Sequence, residues 1–308
     1  MAAMAPDASH AASAPAPSRA AVWLMAIRPK TLPAAASSVI VGTALAWRDG
    51  GFVPLTALAA LVIAVLLQIG SNLANDVYDD ERGADTIERL GPTRVTHSGL
   101  LSRRQVKNGM KVVFLTAFAF GLYLTRVRGW LVLVIGVVAI ASAIAYTGGP
   151  YPLGYHGLGE VFVFLFFGVV AVVGTYWVQV GTAPPVAWLM SVPMGLLIVA
   201  IIVVNNLRDI EQDRAVGKHT LTVRIGARAT MREYVACIMG AYLVVVGAVV
   251  AGMLTPWTLL VFASLPIAYA ATRTVFTQAG TPLNTALART GQLSLAFAVL
   301  FALGVAIG

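Results

Sequence analysis

At 308 residues the chain is 58% apolar and only 11% charged, with a mean hydropathy of +0.82, whereas a soluble globular domain carries about 25% charged residues. That composition excludes an ordinary water-soluble core. The formal net charge of +8 comes with no basic stretch interleaved with aromatics, so it gives no ground for a nucleic-acid partner.

The first 18 residues are rich in Ala, Pro and Ser and lack the apolar stretch of a signal peptide. Residues 1–20 are therefore expected to be a disordered cytoplasmic tail, and 21–308 a single transmembrane domain. A helix needs about 20 apolar residues to cross a bilayer. Hydropathy predicts nine such spans, at roughly 21–47, 54–74, 110–125, 130–147, 160–180, 186–206, 231–253, 256–277 and 289–307. The fold class is a polytopic all-α bundle. Pro29 and Pro33 suit a first helix that begins at the interface and enters the membrane after Pro33. The run at 110–125 is short for a span, and Cys237, with no Cys or His beside it, reads as apolar filler.

Lys and Arg concentrate in cytoplasmic loops close to membrane segments. Arg19, Arg28 and Lys30 precede or open the first span, Arg82, Arg89, Arg94, Arg103, Arg104, Lys107 and Lys111 follow the second, and Arg208, Arg214, Lys218, Arg224, Arg228 and Arg232 follow the sixth. Arg273 and Arg289 flank the loop after the eighth span, and Arg48, Arg126 and Arg128 fall on the other side. This distribution predicts a cytoplasmic N-terminus and an outside C-terminus.

The acids follow a different rule. Nearly half of the thirteen lie between Asp76 and Glu88, and a second group lies between Asp209 and Asp213. Asn72, Asp76 and Asp80 are spaced identically to Asn205, Asp209 and Asp213, each set continuing from an apolar span, with Asp79 beside the first. On a helix that spacing predicts one stripe of an amide and two carboxylates. Clustered carboxylates repel unless a cation lies between them, and magnesium is usually held by one or two carboxylates plus substrate phosphates. The repeated spacing predicts two related four-helix units whose acidic stripes face each other across a metal-bound diphosphate. Arg94, Arg208, Lys218 and Lys30 are candidate partners for its oxygens. In YTGGPYPLGYHGLGE, residues 146–160, Gly and Pro break the helix on the same side. Tyr146, Tyr151 and Tyr155 there are candidates to line an aromatic pocket or face a passing cation, or else to sit at headgroup depth; His156 reads as a surface residue.

The segments WLMAIRPKTLPAA, QIGSNLANDVYDDERGAD, ERLGPTRVTHSGLLS, YTGGPYPLGYHGLGE and NNLRDIEQDRAVGKHTL resemble the UbiA superfamily of membrane prenyltransferases, and within it the 1,4-dihydroxy-2-naphthoate polyprenyltransferase branch. The resemblance implies a ring of helices around a cavity opening at the cytoplasmic side of a bacterial inner membrane. It also implies magnesium on Asp76, Asp79, Asp209 and Asp213, with Asn72, Asn75 and Asn205 in the motifs. Where the superfamily often has a further Asp, four residues beyond Asp79, this chain has Gly83, so the resemblance leaves Asp80 or Asp85 to complete the first metal site. The implied substrates are a polyprenyl diphosphate and the dihydroxynaphthoate, with no obligate protein partner evident and no general base assigned. Transfer to 4-hydroxybenzoate is the nearest competing reading. A cation-coupled transporter is a further one, but it asks for acids inside the spans.

Overall fold

With no water in the hydrocarbon layer, each apolar run has to close its own backbone hydrogen bonds, which a helix does. Among the described residues, 17–84 and 90–308 of this computed structural model, regular structure is entirely helical. Residues 1–16, most of the expected tail, and Asp85 and Arg89 lie outside the described residues.

The chain order is α1 (Arg19–Ile27), α2 (Leu32–Arg48), α3 (Pro54–Glu81), α4 (Arg103–Arg128), α5 (Trp130–Ala145), α6 (Gly159–Val180), α7 (Pro185–Arg208), α8 (Ile210–Ala215), α9 (Leu221–Ile225), α10 (Ala227–Val250), α11 (Pro256–Thr277) and α12 (Leu283–Ile307). Seven of these are long and apolar enough to cross a membrane, and the shorter α2 and α5 complete the nine runs read from hydropathy. The first run is broken: α1 ends at Arg28, whose φ of 56° is left-handed, and α2 starts beside Pro33. The residue before a proline avoids the α conformation, which explains the stop. The short run at 110–125 belongs to a 26-residue helix, whose first turns, Arg103 to Lys111, are too polar to register as hydropathy. Ser102 and Gln105 cap that polar end reciprocally.

The two halves of the ring differ. Around α2, α7, α10 and α12 the core is solid, with Leu45, Met190, Met194, Leu197, Tyr234, Phe297 and Phe301 buried. On the other side α3, α4, α5 and α6, closed off by α2 and α7, surround a cavity of about 430 Å³. The helix α5 buries only Ala139, and it makes almost no contact with the consecutive helix α6. Where α6 does close on the solid half it needs a glycine. A Cβ at Gly168 would lie 2.8 Å from both the Gly195 Cα and the Ser191 carbonyl oxygen. Arg128 holds the opposite end of α6, donating to the carbonyls of Trp177, Val178 and Gln179.

Candidate active site

The cavity follows one face of α3 from Ala60 through Ala64, Leu67, Gln68, Ser71 and Asn75 to Asp79, a run of roughly 28 Å at the rise of an α-helix. Its deep walls are apolar: Ile63, Phe118, Ile140, Phe162, Phe166 and Ile198. Its mouth is polar: Asn75, Asp79, Arg94, Tyr155, Asn205, Asp209, Gln212, Asp213 and Lys218 all line it. The ends of α3 and α7 thus meet over one opening, as the matched spacing predicted.

Asp79 is the centre of the mouth. It is 2% exposed, and it receives Arg94 Nη2 at 2.6 Å, the Tyr155 hydroxyl at 2.8 Å and Lys218 Nζ at 3.3 Å. The same ammonium stands 4.0 Å from Asp213 and 4.5 Å from the centre of the Tyr155 ring. Lys218 therefore holds the first acidic motif to the second. The loop that carries Lys218 is fixed by its own backbone, because His219 N donates to the Tyr155 carbonyl and Lys218 N to that of Asp213.

The stripe expected on α3 does not form as drawn. The helix is continuous to Glu81, and each four-residue step advances about 40° around it, so Asn72 faces the cavity while Asp76 and Asp80 rotate away. Asp76 is 1% exposed and accepts the backbone N–H groups of Val95 and Thr96 at 3.1 and 2.9 Å. Asp80 pairs with Arg103 at 2.7 Å and faces His97 at 3.5 Å. Those two acids anchor the 94–103 segment, and neither lines the cavity. Asn75 and Asp79 occupy the face assigned to them. Asn72 reaches back, donating to the Ile27 carbonyl at 2.8 Å and to Thr31 Oγ1 at 3.0 Å, which ties α3 to the α1–α2 break.

At the second motif the helix stops. Asp209, with φ −98° and ψ 9°, separates α7 from α8, and the change of direction keeps Asn205, Asp209 and Asp213 all on the cavity. Arg208 lies behind them. It is buried, grips both oxygens of Asp209 at 2.7 and 2.5 Å, and donates to Asn205 Oδ1 at 2.9 Å and Asn284 Oδ1 at 2.7 Å. It orients the motif and does not face the opening.

Two further expectations change. Lys30 is exposed and off the cavity, whereas Arg28, two residues earlier, lines it; the left-handed turn at Arg28 reverses which cation faces inward. Tyr151 is 56% exposed and stacks on His156 at 3.7 Å, outside the site, while Tyr146 lines the cavity. Just past α5, burial and then the charges of Glu160, Asp79 and Asp213 push the Tyr146 phenol above its ordinary value, so it keeps its proton. Arg82, read from the sequence only as a topology residue, donates to the carbonyls of Thr147 and Gly149 and so pins this loop to α3.

Among the described residues no three His, Cys, Asp or Glu side chains converge on a single point. Magnesium does not require that, since substrate phosphates and water complete its shell. Asp79 and Asp213 already share one cation, with Asp209 on the same mouth, so the donor set suits a hard divalent ion that arrives with a phosphorylated ligand.

A charged mouth over a long apolar cavity in a helical membrane protein fits a ligand with a polar head and a lipid tail. The profile of the UbiA prenyltransferase family matches residues 35–284, and the chain belongs to that family. It is 43% identical over 235 residues to the 1,4-dihydroxy-2-naphthoate octaprenyltransferase of Escherichia coli K12, covering 74% of this chain and 75% of that protein. The enzyme of the same description from Haemophilus influenzae is 36% identical over 93% of this chain and 96% of its own length. Among solved structures, a UbiA homolog from Aeropyrum pernix K1 shares the fold with a TM-score of 0.68 at 17% identity, covering 91% and 98% of the two chains. One from Archaeoglobus fulgidus bound to GPP and Mg2+ has a TM-score of 0.67 at 15% identity, covering 92% and 99%.

Proposed function

We propose that the protein transfers a polyprenyl group from an allylic polyprenyl diphosphate to 1,4-dihydroxy-2-naphthoate, releasing diphosphate and carbon dioxide and giving demethylmenaquinol, the reduced form of demethylmenaquinone. The observation that carries this reading is Lys218, shared by Asp79 and Asp213 at the head of an apolar cavity. Its support from relatives is the run of proteins described as 1,4-dihydroxy-2-naphthoate octaprenyltransferases across most of the chain.

The isoprenoid tail lies along Ile63, Phe118, Ile140, Phe162 and Phe166, where it displaces no water that protein atoms need. The diphosphate sits at the mouth, where Arg94 and Lys218 supply donors and positive charge as the leaving group gains negative charge. Magnesium, held by Asp79, Asp209 and Asp213 with the amides of Asn75 and Asn205 nearby, would add Lewis-acid stabilisation of that leaving group. Arg208 keeps Asp209 and Asn205 in place for it. Tyr146 and Tyr155 put aromatic rings beside the developing allylic cation, and the apolar wall keeps water from quenching it. Loss of the ring carboxylate restores aromaticity, so no side chain is assigned as base.

The mouth is proposed to face the cytoplasm of a bacterial inner membrane, with the C-terminus outside. Arg82, Arg94, Arg103, Lys107, Arg208 and Lys218 stand at the mouth end, and Arg48 and Arg128 at the other. The test is transfer by purified protein in lipid nanodiscs, with magnesium, one polyprenyl diphosphate and either acceptor. Prenylated product and carbon dioxide from the naphthoate are expected; product from 4-hydroxybenzoate alone overturns the acceptor.

A further inference from the structure

Beside the cavity lies a buried acid with no part in the transfer as described. Glu160, at the start of α6, is 7% exposed. Its Oε1 accepts a hydrogen bond from Asn206 Nδ2 at 3.0 Å, while Oε2 is sealed from solvent without a partner. Glu233 of α10 likewise has a buried Oε2 without a partner, and the two carboxyls oppose each other's charge. No Lys or Arg among the described residues bridges to either acid. A carboxyl in this setting is costly to bury, so stability gives no reason for its presence.

Its effect is to fix an amide. Whether or not the two acids share a proton, Glu160 retains an oxygen that accepts, so Asn206 turns its NH2 group toward α6 and its Oδ1 away. Asn206 lines the cavity, and its Oδ1 accepts no hydrogen bond among the described residues yet is not sealed from solvent, so this oxygen opens into the cavity. It sits beside Asn205, with Ile202 one turn deeper, at the level where the charged mouth becomes an apolar wall. Tyr146 completes the patch. A Cβ at Gly159 would lie 2.7 Å from the Tyr146 hydroxyl and 3.2 Å from Ile202 Cδ1, so glycine is what lets the ring and Ile202 close over the start of α6.

The geometry points to Asn206 as the residue that accepts a hydrogen bond from a hydroxyl of the aromatic acceptor, with Glu160 as its positioning residue. The acceptor ring lies against Tyr146 and Ile202, and its O–H donates to Asn206 Oδ1. Acceptor recognition then belongs to the α6–α7 wall, apart from the cations that hold the diphosphate. This assignment rests on the aromatic prenyltransferase reading above.

Steady-state kinetics with each substrate varied separately tests it, on the full-length protein in nanodiscs. Asn206→Leu and Glu160→Leu are each expected to raise KM for the aromatic acceptor about tenfold, the size of one lost hydrogen bond at a buried site. KM for the prenyl diphosphate should stay within about twofold in the same variants, which also reports an intact site. Glu160→Gln keeps an oxygen that accepts from Asn206 Nδ2 and should hold the acceptor KM within about threefold of wild type. An unchanged acceptor KM in Asn206→Leu, or an equal rise for both substrates, overturns the assignment. Wild-type protein that uses 4-hydroxybenzoate and not the naphthoate defeats the proposed acceptor alone; the same KM comparison, run with hydroxybenzoate, still decides the role of Asn206.

Discussion

The two acidic motifs have the same spacing in sequence and different shapes in space. On α3 the helix runs unbroken through Asn72, Asp76 and Asp80, so the row winds off the cavity face, and Asn75 and Asp79 present the working oxygens. On α7 the helix stops at Asp209, and the short α8 turns Asp213 back toward the opening. One motif therefore divides its acids between the site and the 94–103 segment, and the other gives both of its aspartates to the site. The carboxylates that look interchangeable in sequence are predicted to fail in different ways when removed.

The largest effect is expected at the mouth. Asp79→Ala and Asp209→Ala should each lower kcat about a thousandfold, read from transfer by purified variants, because each removes a carboxylate that would hold the magnesium stabilising the leaving diphosphate. If Asp76→Ala lost activity to the same degree with unchanged melting, the division between the faces of α3 would break. Arg208→Leu comes next. It leaves Asp209 without its two-point partner in a buried setting, at a cost of about 3–5 kcal/mol in stability, visible as a lower unfolding midpoint in detergent. Asp76→Ala should cost about 2–3 kcal/mol, since it orphans two buried backbone N–H groups, and Asp76→Asn, which keeps one accepting oxygen, about half of that. Tyr151→Ala should be nearly silent. Transfer within about twofold of wild type would match an exposed ring stacked on His156, and a large loss would put Tyr151 back in the acceptor pocket.

What was legible beforehand depended on how each feature is encoded. Nine apolar runs are a one-dimensional signal, and each reappears as helix, seven of them long and apolar enough to cross a bilayer. The matched spacing of the two motifs announced that they would meet. Asp79, Asp209, Asp213, Asn75, Arg94 and Lys218 line the mouth, and Tyr146 lines the cavity. Arg28 in place of Lys30 was hidden, although the proline after Arg28 signalled the break that turns it inward. Glu160 and Asn206 carried no signal, because they lie 46 residues apart at the far ends of α6 and α7, and only the packing of those two helices brings them together.

The amino-acid sequence alone determined the membrane class, the apolar runs that become the helices, the gathering of charge at one end and the two acidic motifs that meet there. Those properties follow from composition and local period, which each segment carries within itself. Tertiary structure decided which face of each helix the acids occupy, that Lys218 bridges the motifs, and that Arg208 and Asp76 support the site from behind it. The reason is geometric: phase around a helix depends on where that helix bends or stops, and the turn at Arg28 and the break at Asp209 are held by residues that are distant along the chain.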